Sequence, residues 1–499
     1  MTARAPGPPI RFGTDGWRAV IADGFTFANL ERVAQAYALY LLRQRDAADG
    51  DESNARDDAT ARGEATNSDS PSRSAPRVVV GYDRRFLSGR FALRAAEVLA
   101  GNGVSVEMFD TDAPTPLVSW AVRDRGAQGG VVITASHNPA EFNGFKIKAP
   151  WGGSATPETT AEVESLVDTS ETLTGDLPGG ARGPLESSVE SYRAQIAAYV
   201  DLERLTAAHA HVVVDPMHGT GARWVESFLA GGALRAETIR AERDANFGGV
   251  APEPIDRNLG LLKSRVREAR ALVGLATDGD ADRVGAVNEL GETMTMHEVV
   301  PLVLLHLARA RGMTGGVVRT FSQSVLTKRI AEAHGLAVHE TPIGFKYVAD
   351  LMLREDILIG AEESGGIGVS GHIPERDGIL NSLLFLEAII FAGRPPSELV
   401  REMHREFGEF YYGRRDLHTD VARGLELVES LAVSPPPAVA GHEVAGVERL
   451  DGTKLLFADE SWLLFRQSGT EPVLRVYSEA TSTDKRESLL DAGVELSRG

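Results

Sequence analysis

The chain has 499 residues, 42% hydrophobic and 25% charged, a size that predicts about three to five domains at roughly 100–200 residues each. It contains no cysteine, which excludes disulfides, thiolate metal sites, iron–sulfur clusters and a cysteine nucleophile, and which fits a cytoplasmic setting. The net charge of −19 disfavours nucleic acid as a partner, and no apolar run approaches the ~18 residues that span a bilayer. The N-terminal stretch has no apolar core of the kind that marks a secretory signal.

In chain order, Leu30, Val33, Ala34, Tyr37 and Leu41 recur at helical spacing and predict a helix over 28–45. Residues 46–76 contain no Val, Ile, Leu, Met, Phe, Tyr or Trp, so they predict a disordered surface insertion. Strands are expected at 77–82, 104–109 and 130–134, with a helix near 88–100. A Gly/Pro/Thr-rich stretch, 168–187, reads as a connection. The pattern restarts with strand 211–215, Gly219, Gly221, a helix and strand 271–276. It restarts again with a helix near 297–311, strand 316–320, helix 324–334, strand 336–340, helix 345–354, strand 357–360 and helix 378–392. The last stretch differs: a strand pair around 453–478 and a closing helix at 483–497. The fold class is therefore α/β, with three similar α/β domains of mixed sheets and a smaller α+β C-terminal domain. The expected boundaries are 1–181, 182–293, 294–405 and 406–499.

In each α/β unit a polar loop follows an apolar strand: TASHNP after GVVI, DGDADR after VGLAT, EESGG after ILIGA. Ligands in open α/β sheets gather at the carboxyl ends of strands, so these loops, with RQSGTEP in the last domain, predict one shared cleft. Asp278, Asp280 and Asp282 alternate in a tight loop and suit one hard cation, Mg²⁺, with positions open to phosphate oxygen. An EF-hand reading, with Glu289 at the twelfth position, fails because Arg283 stands where glycine is required. In TASHNP, Ser136 beside His137 suggests a hydrolase, but adjacent residues rarely set imidazole against hydroxyl, and no G-x-S-x-G elbow is present. A helix-capping Ser136 and a phosphoryl-carrying Ser136 both remain open from the residues alone. The NGFK stretch supplies Lys146, one of only 7 lysines beside 45 arginines. Held near cations, it would have a lowered pKa suited to proton transfer. Arg466, Ser468, Gly469 and Thr470 can cradle an anion, or form an ordinary hairpin turn, with Arg475 on the next strand. Glu362 and Ser364 offer groups suited to sugar hydroxyls, or to a structural turn.

Together, FGTDGWR (Phe12 to Arg18), TASHNP, DGDADR, GAEESGG (Gly360 to Gly366) and RQSGTEP (Arg466 to Pro472), in this order, resemble the α-D-phosphohexomutase family over nearly the whole chain. The resemblance implies four domains around a central cleft, the fourth a mobile phosphate-binding cap. It implies a phosphoserine at Ser136, Mg²⁺ on Asp278, Asp280, Asp282 and the Ser136 phosphoryl group, and an acid/base role for Lys146. Arg18 and Arg283 would contact the transferring group, and Glu362 and Ser364 the sugar. Arg466, Ser468, Gly469, Thr470 and Arg475 would hold the distal phosphate. The implied activity interconverts glucose 1-phosphate and glucose 6-phosphate through glucose 1,6-bisphosphate, which also serves as activator. Mannose phosphates would be further substrates. The alternatives are a glucosamine-phosphate mutase and a metal- or phosphosugar-binding protein without turnover. The GFK stretch (Gly344 to Lys346) and GHIPERDGIL (Gly371 to Leu380) favour glucose. Some gluco/manno relatives carry a His where Gly366 stands, which makes Lys346 a replacement cation near the sugar. A phosphosugar is the expected partner of a monomer or homodimer.

Overall fold

The computed structural model describes residues 9–13, 15–61, 74–179, 181, 183, 185–468 and 472–498. The first sheet contains β1 (Gly16–Val20), β2 (Arg77–Tyr82), β3 (Ser105–Met108), β4 (Gly129–Ile133) and β5 (Phe142–Lys148), in the order β1-β5-β4-β2-β3. The second contains β6 (His211–Asp215), β7 (Arg235–Thr238), β8 (Val273–Thr277), β9 (Val284–Asn288) and β10 (Thr293–Met294), in the order β10-β9-β8-β6-β7. The third contains β11 (Gly316–Thr320), β12 (Val338–Thr341), β13 (Ile357–Ala361) and β14 (Ile367–Val369), in the order β12-β11-β13-β14.

One plan is used three times. Three parallel strands (β3-β2-β4, β7-β6-β8, β12-β11-β13) are followed by one antiparallel return strand, β5, β9 or β14. The Ser136, Asp278 and Glu362 loops each join the last parallel strand to its return strand. They therefore occupy the same place in three copies of one motif.

The fourth unit is antiparallel. It contains β15 (Tyr411–His418), a small ribbon of β16 (Ala438–Val439) and β17 (His442–Glu443), then β18 (Gly446–Glu448), β19 (Thr453–Leu456), β20 (Trp462–Gln467) and β21 (Val473–Ala480). Its main sheet runs β15-β21-β20-β19-β18 and is backed by helices Val421–Val433 and Thr483–Leu496.

Two expectations change. The helix that starts at Phe27 continues to Ala61, so the first part of the expected disordered insertion is helical. Its first turns are anchored by buried Leu30, Val33, Tyr37 and Leu41. The continuation over 46–61 holds five alanines but also five aspartates and Gly50, so it extends from that anchored start and not from a strong propensity of its own. Residues 62–73 of that insertion lie outside the described residues. Strands β1 and β5 were not expected as strands. Their alternation is masked because Lys146 and Lys148 alternate with Phe145 and Ile147, and both sets are buried. The apolar set enters the domain core, while the lysines face paired carboxylates in the cleft.

The helix Gly378–Ala392 is buried along most of its length, in a core shared by all four units. Asp377 Oδ1 caps it by accepting from the Ile379 and Leu380 amides, and Gly378 N donates to Ala281 O at 3.0 Å. Its N-terminus is thereby fixed against the aspartate loop. Among the described residues, no single helix is long and apolar enough to cross a membrane.

Candidate active site

Ser136 has φ of 52°, in the left-handed region, and its side chain is buried. Non-glycine residues hold this conformation only where their surroundings over-determine it. Arg85 does so here. Its fully buried guanidinium pairs with Asp83 at 3.0 Å and donates to the carbonyls of Ser136 (2.6 Å), Asn138 (2.7 Å), Pro139 (2.7 Å) and Phe142 (3.1 Å). Asp83 also accepts from Thr134 Oγ1, and Thr134 Oγ1 accepts from Ser136 N. Ser136 Oγ is left pointing at the second domain, where it donates to Asp278 Oδ2 at 2.8 Å. The loop does bring His137 Nδ1 to 3.3 Å from Ser136 Oγ, against the expectation for adjacent residues. Burial, then Arg283 and Arg18, keep that imidazole far below its usual range of proton affinity.

The three loops touch through backbone. A Cβ at Gly279 would lie 2.5 Å from Ser136 O, and one at Gly365 would lie 2.3 Å from Val284 O. Thr115 N donates to Asp280 O at 2.9 Å, and Val284 N donates to Gly365 O at 3.0 Å. At Gly279 and Gly365 only glycine permits the approach.

Asp278, Asp280 and Asp282 are fully buried, with one carboxylate oxygen from each lying within 4.8 Å of the other two. Asp278 Oδ1 accepts from the amides of Asp282 and Arg283 at 3.0 and 3.1 Å. Burial, then the charges of Asp280 and Asp282, push its pKa well above the usual carboxylate range. Oδ1 of Asp280 and Oδ1 of Asp282 are buried with no hydrogen-bond partner. Orphaned hard oxygens beside a carboxylate that resists ionisation fit a divalent cation.

Lys146 Nζ donates to Asp280 Oδ2 at 2.9 Å and reaches Asp282 Oδ2 and Asp15 Oδ2 at 3.5 and 3.4 Å. This corrects the expectation of a lowered lysine pKa. Burial opposes its charge, but Asp280, Asp15 and Asp282 carry its pKa above the ordinary lysine value. Arg18, on β1, donates to Asn138 Oδ1 at 2.8 Å and to Asp15 at 3.3 Å. The Arg283 side chain is largely buried, its Nε 4.0 Å from Asp282 Oδ1.

Glu362 enters through Arg376, a residue given no role by the sequence reading. The Arg376 guanidinium lies 2.8 Å from Asp282 Oδ2, 3.6 Å from Glu362 Oε2 and 3.9 Å from Asp15 Oδ2, so it links the first three domains. The neighbouring Glu375 receives Lys148 Nζ at 2.6 Å and Ser154 Oγ at 2.8 Å. Burial opposes the charge of Glu375, but Lys148 and Arg376 bring its pKa down to about 2. Lysine scarcity was the available signal for Lys148, as it was for Lys146. Ser364 lies half-buried in the same loop as Glu362. Lys346 stands at the start of helix Phe345–Arg354, with Nζ 4.9 Å from the Tyr347 ring centroid.

On the fourth domain, Arg466 and Arg475 are direct cross-strand partners on β20 and β21. Like charges facing each other across strands are unfavourable, and at Arg466 the charge is offset by Asp451 Oδ2, 3.0 Å from its Nε. Arg414 lies on the same face, opposite Tyr477, and donates to Asp416 at 2.8 Å. Ser468 is buried, and its amide donates to Val473 O at 2.9 Å. Gly469 and Thr470 lie outside the described residues.

Strand-end loops of three repeated sheets meeting a basic antiparallel cap define an enzyme that moves a phosphoryl group on a phosphosugar. The comparisons agree along the chain. The models of phosphoglucomutase/phosphomannomutase α/β/α domains I, II and III match residues 47–174, 190–291 and 296–407, and that of the C-terminal domain matches 428–496. A phosphoglucomutase/phosphomannomutase of Thermococcus kodakarensis is 32% identical over 85% of this chain and 90% of its own. A phosphoglucosamine mutase of Novosphingobium aromaticivorans is 31% identical over 83% and 88%. A crystal structure from Thermus thermophilus, described as a candidate phosphomannomutase, is 36% identical with a TM-score of 0.83, covering 99% of this chain and 100% of its own. The chain belongs to the α-D-phosphohexomutase superfamily, as an isomerase of the phosphoglucomutase/phosphomannomutase type.

Proposed function

We propose that the enzyme interconverts glucose 1-phosphate and glucose 6-phosphate, and accepts mannose phosphates, through a phosphoserine at Ser136. The observation that carries the phosphoserine is Ser136 Oγ, held in a left-handed turn 2.8 Å from Asp278 at the mouth of a buried carboxylate triad. A Ser136 that merely capped a helix would not need that geometry.

In each half-reaction a sugar hydroxyl forms a bond to phosphorus as the bond to Ser136 Oγ breaks, or the reverse. The hydroxyl proton is given up, and Oγ takes one when it leaves. Lys146, which holds a proton at Nζ beside Asp280 and Asp282, gives it to Ser136 Oγ as that oxygen leaves and is restored by the proton the sugar hydroxyl gives up; in the return half-reaction both transfers run backwards. Asp278, Asp280 and Asp282, with the Ser136 phosphoryl group, would hold Mg²⁺, which when bound supplies positive charge at the phosphoryl oxygens. Arg18 and Arg283 border the same space and offset its remaining charge. Glu362 and Ser364 accept from and donate to sugar hydroxyls, with Lys346 at the rim. Arg466, Ser468, Gly469, Thr470 and Arg475 hold the phosphate that is not reacting. Positioning of this kind supplies roughly 7–11 kcal/mol of a barrier. The 1,6-bisphosphate then turns end over end, so one clamp and one reactive site serve both isomers.

Glucose preference is supported by the GFK and GHIPERDGIL stretches and by the phosphoglucomutase/phosphomannomutase name of the Thermococcus relative, and the phosphomannomutase name of the Thermus structure supports acceptance of mannose phosphates. A second reading, glucosamine-phosphate mutase, is favoured by the Novosphingobium relative at nearly the same identity. Kinetics on glucose 1-phosphate, mannose 1-phosphate and glucosamine 1-phosphate decide between them. The highest kcat/KM is expected for glucose 1-phosphate, and a clear preference for glucosamine 1-phosphate would overturn the glucose assignment.

A further inference from the structure

We infer that Asp451 is a positioning residue for the phosphate clamp: it orients the Arg466 guanidinium and ties it to the 343–346 loop of the third domain. The inference rests on the proposed reading in which Arg466 holds the distal phosphate. Asp451 sits in the turn between β18 and β19. Its Oδ2 accepts from Ile343 N at 2.9 Å and lies 3.0 Å from Arg466 Nε. One carboxylate oxygen thus joins an arginine of the fourth domain to the backbone that leads into Gly344 and Lys346.

The turn is held tightly against the strand that carries Arg466. Gly452 has φ of 96°, and a Cβ there would lie 2.3 Å from Phe465 O and 3.2 Å from Arg466 Cα. Asp451 and Arg466 are each mostly shielded, with side chains 23% and 18% exposed. The cross-strand neighbour of Arg466 is Arg475, whose like charge pushes the guanidinium away from its strand position. An anionic partner at Nε opposes that push. The contact is an ion pair and not an aligned hydrogen bond at Nε, so Asp451 holds the guanidinium by charge on the loop side of its strand position. The same oxygen holds Ile343, so the clamp and the loop bearing Lys346 are set in one register. Asp451 touches no reacting atom in this scheme and acts through Arg466.

The test is a double-mutant cycle on the full-length enzyme, with Asp451→Asn, Arg466→Ala and the pair together, measuring KM and kcat for glucose 1-phosphate. Asparagine keeps an acceptor for Ile343 N and removes the charge facing Arg466. Asp451→Asn should raise KM about five- to tenfold with kcat little changed, as expected for loss of binding common to ground and transition states. In the Arg466→Ala background it should add almost nothing, because the effect is transmitted through Arg466. An unchanged KM in Asp451→Asn, or the same fold-change with and without Arg466, overturns the positioning role while leaving the clamp standing on the effect of Arg466→Ala itself. An unchanged KM in Arg466→Ala overturns the clamp, and the role of Asp451 with it.

Discussion

Glu362 is a cleft carboxylate poised near neutrality. Burial raises its pKa to about 6 from the ordinary 4.5, and Arg376 and Arg283 limit the rise. Folding therefore favours its protonated form. That contribution to stability is full below pH 4.5 and is lost as the pH rises through about 6. In the proposed role function runs the other way, because the ionised carboxylate is the stronger acceptor for sugar hydroxyls. The kcat/KM of the wild type should fall as the pH drops below about 6, and Glu362→Gln should be slower but lack the enzyme's share of that limb. The substrate phosphate titrates near 6 as well, so the limb common to both proteins belongs to the substrate. Superimposable profiles would remove Glu362 from the reaction. At Asp280, Asp280→Asn should weaken Mg²⁺ binding about tenfold or more and cut turnover, while excess chelator stops the wild type and Mg²⁺ restores it. Calorimetry and assays in chelator check this, and normal turnover without metal would contradict it. Ser136, the aspartate triad and Lys146 were legible in the sequence because each lies in a short, chemically dense run. Arg85 and Arg376 were not, because their partners lie on other elements: Arg85 acts on carbonyls 51–57 residues away, and Arg376 reaches Asp15 and Asp282. The pKa of Lys146 was misjudged for the same reason: its neighbours in space are carboxylates, not the cations expected beside it.

At the scale of elements, most of the parallel strands were readable, since VVV- and VVI-type runs are buried on both faces, but β7 and the helices Glu186–Tyr199, Pro396–Phe407 and Val421–Val433 were not expected. The return strand β5 was hidden by lysines that a sequence reading assigns to solvent. The contact between the third and fourth domains was equally invisible. Glu479 of β21 accepts from Ser324 Oγ (2.6 Å), Val325 N (2.8 Å) and Trp462 Nε1 (3.1 Å), and so serves the start of helix Val325–Ala333 from another domain. Tyr412 stacks on His297 with centroids 3.7 Å apart. Lys454 of β19 lies buried in this contact, 3.7 Å from the Phe321 ring centroid and 3.5 Å from Glu340. Burial brings its pKa down to about 8, with Glu340 resisting. A lowered lysine value means that folding favours the neutral amine. That stabilisation is full above the ordinary 10.5 and is lost as the pH falls through about 8. Lys454→Met should therefore be as stable as the wild type or more so at pH 7, since Arg319 still pairs with Glu340. It should also lose part of the gain in melting temperature that the wild type shows on moving to pH 9.5. Thermal unfolding at both pH values checks this. A variant that melts well below the wild type at pH 7, with the same pH dependence, would show that the charged lysine holds the domains together.

For the whole molecule, the repeated α/β plan explains why three unrelated-looking loops meet: each occupies the same topological position, and the sheets face one cleft. Arg414, Arg466 and Arg475 share one face of the fourth domain's sheet, and in the proposed reading they complete that cleft. It is docked on the third domain by buried polar contacts, so any movement of this cap must break or carry those contacts. Arg466→Ala should lower kcat/KM roughly ten- to a hundredfold, as loss of one or two charge-assisted contacts would. It should also make turnover more dependent on added glucose 1,6-bisphosphate, because a weakened clamp releases the intermediate during its reorientation. Assays with and without that activator read both effects, and an unchanged requirement would place the distal phosphate elsewhere. The central claim, that Ser136 carries the phosphoryl group across the cleft, has a more direct measurement. Enzyme exposed to glucose 1,6-bisphosphate radiolabelled in its phosphates, with Mg²⁺, is digested and the label mapped, and a second sample is chased with unlabelled glucose 1-phosphate. The label should sit on the Ser136 peptide, leave as bisphosphate in the chase, and be absent from a Ser136→Ala variant that no longer turns over. Label on another residue, or wild-type turnover in Ser136→Ala, would contradict the account.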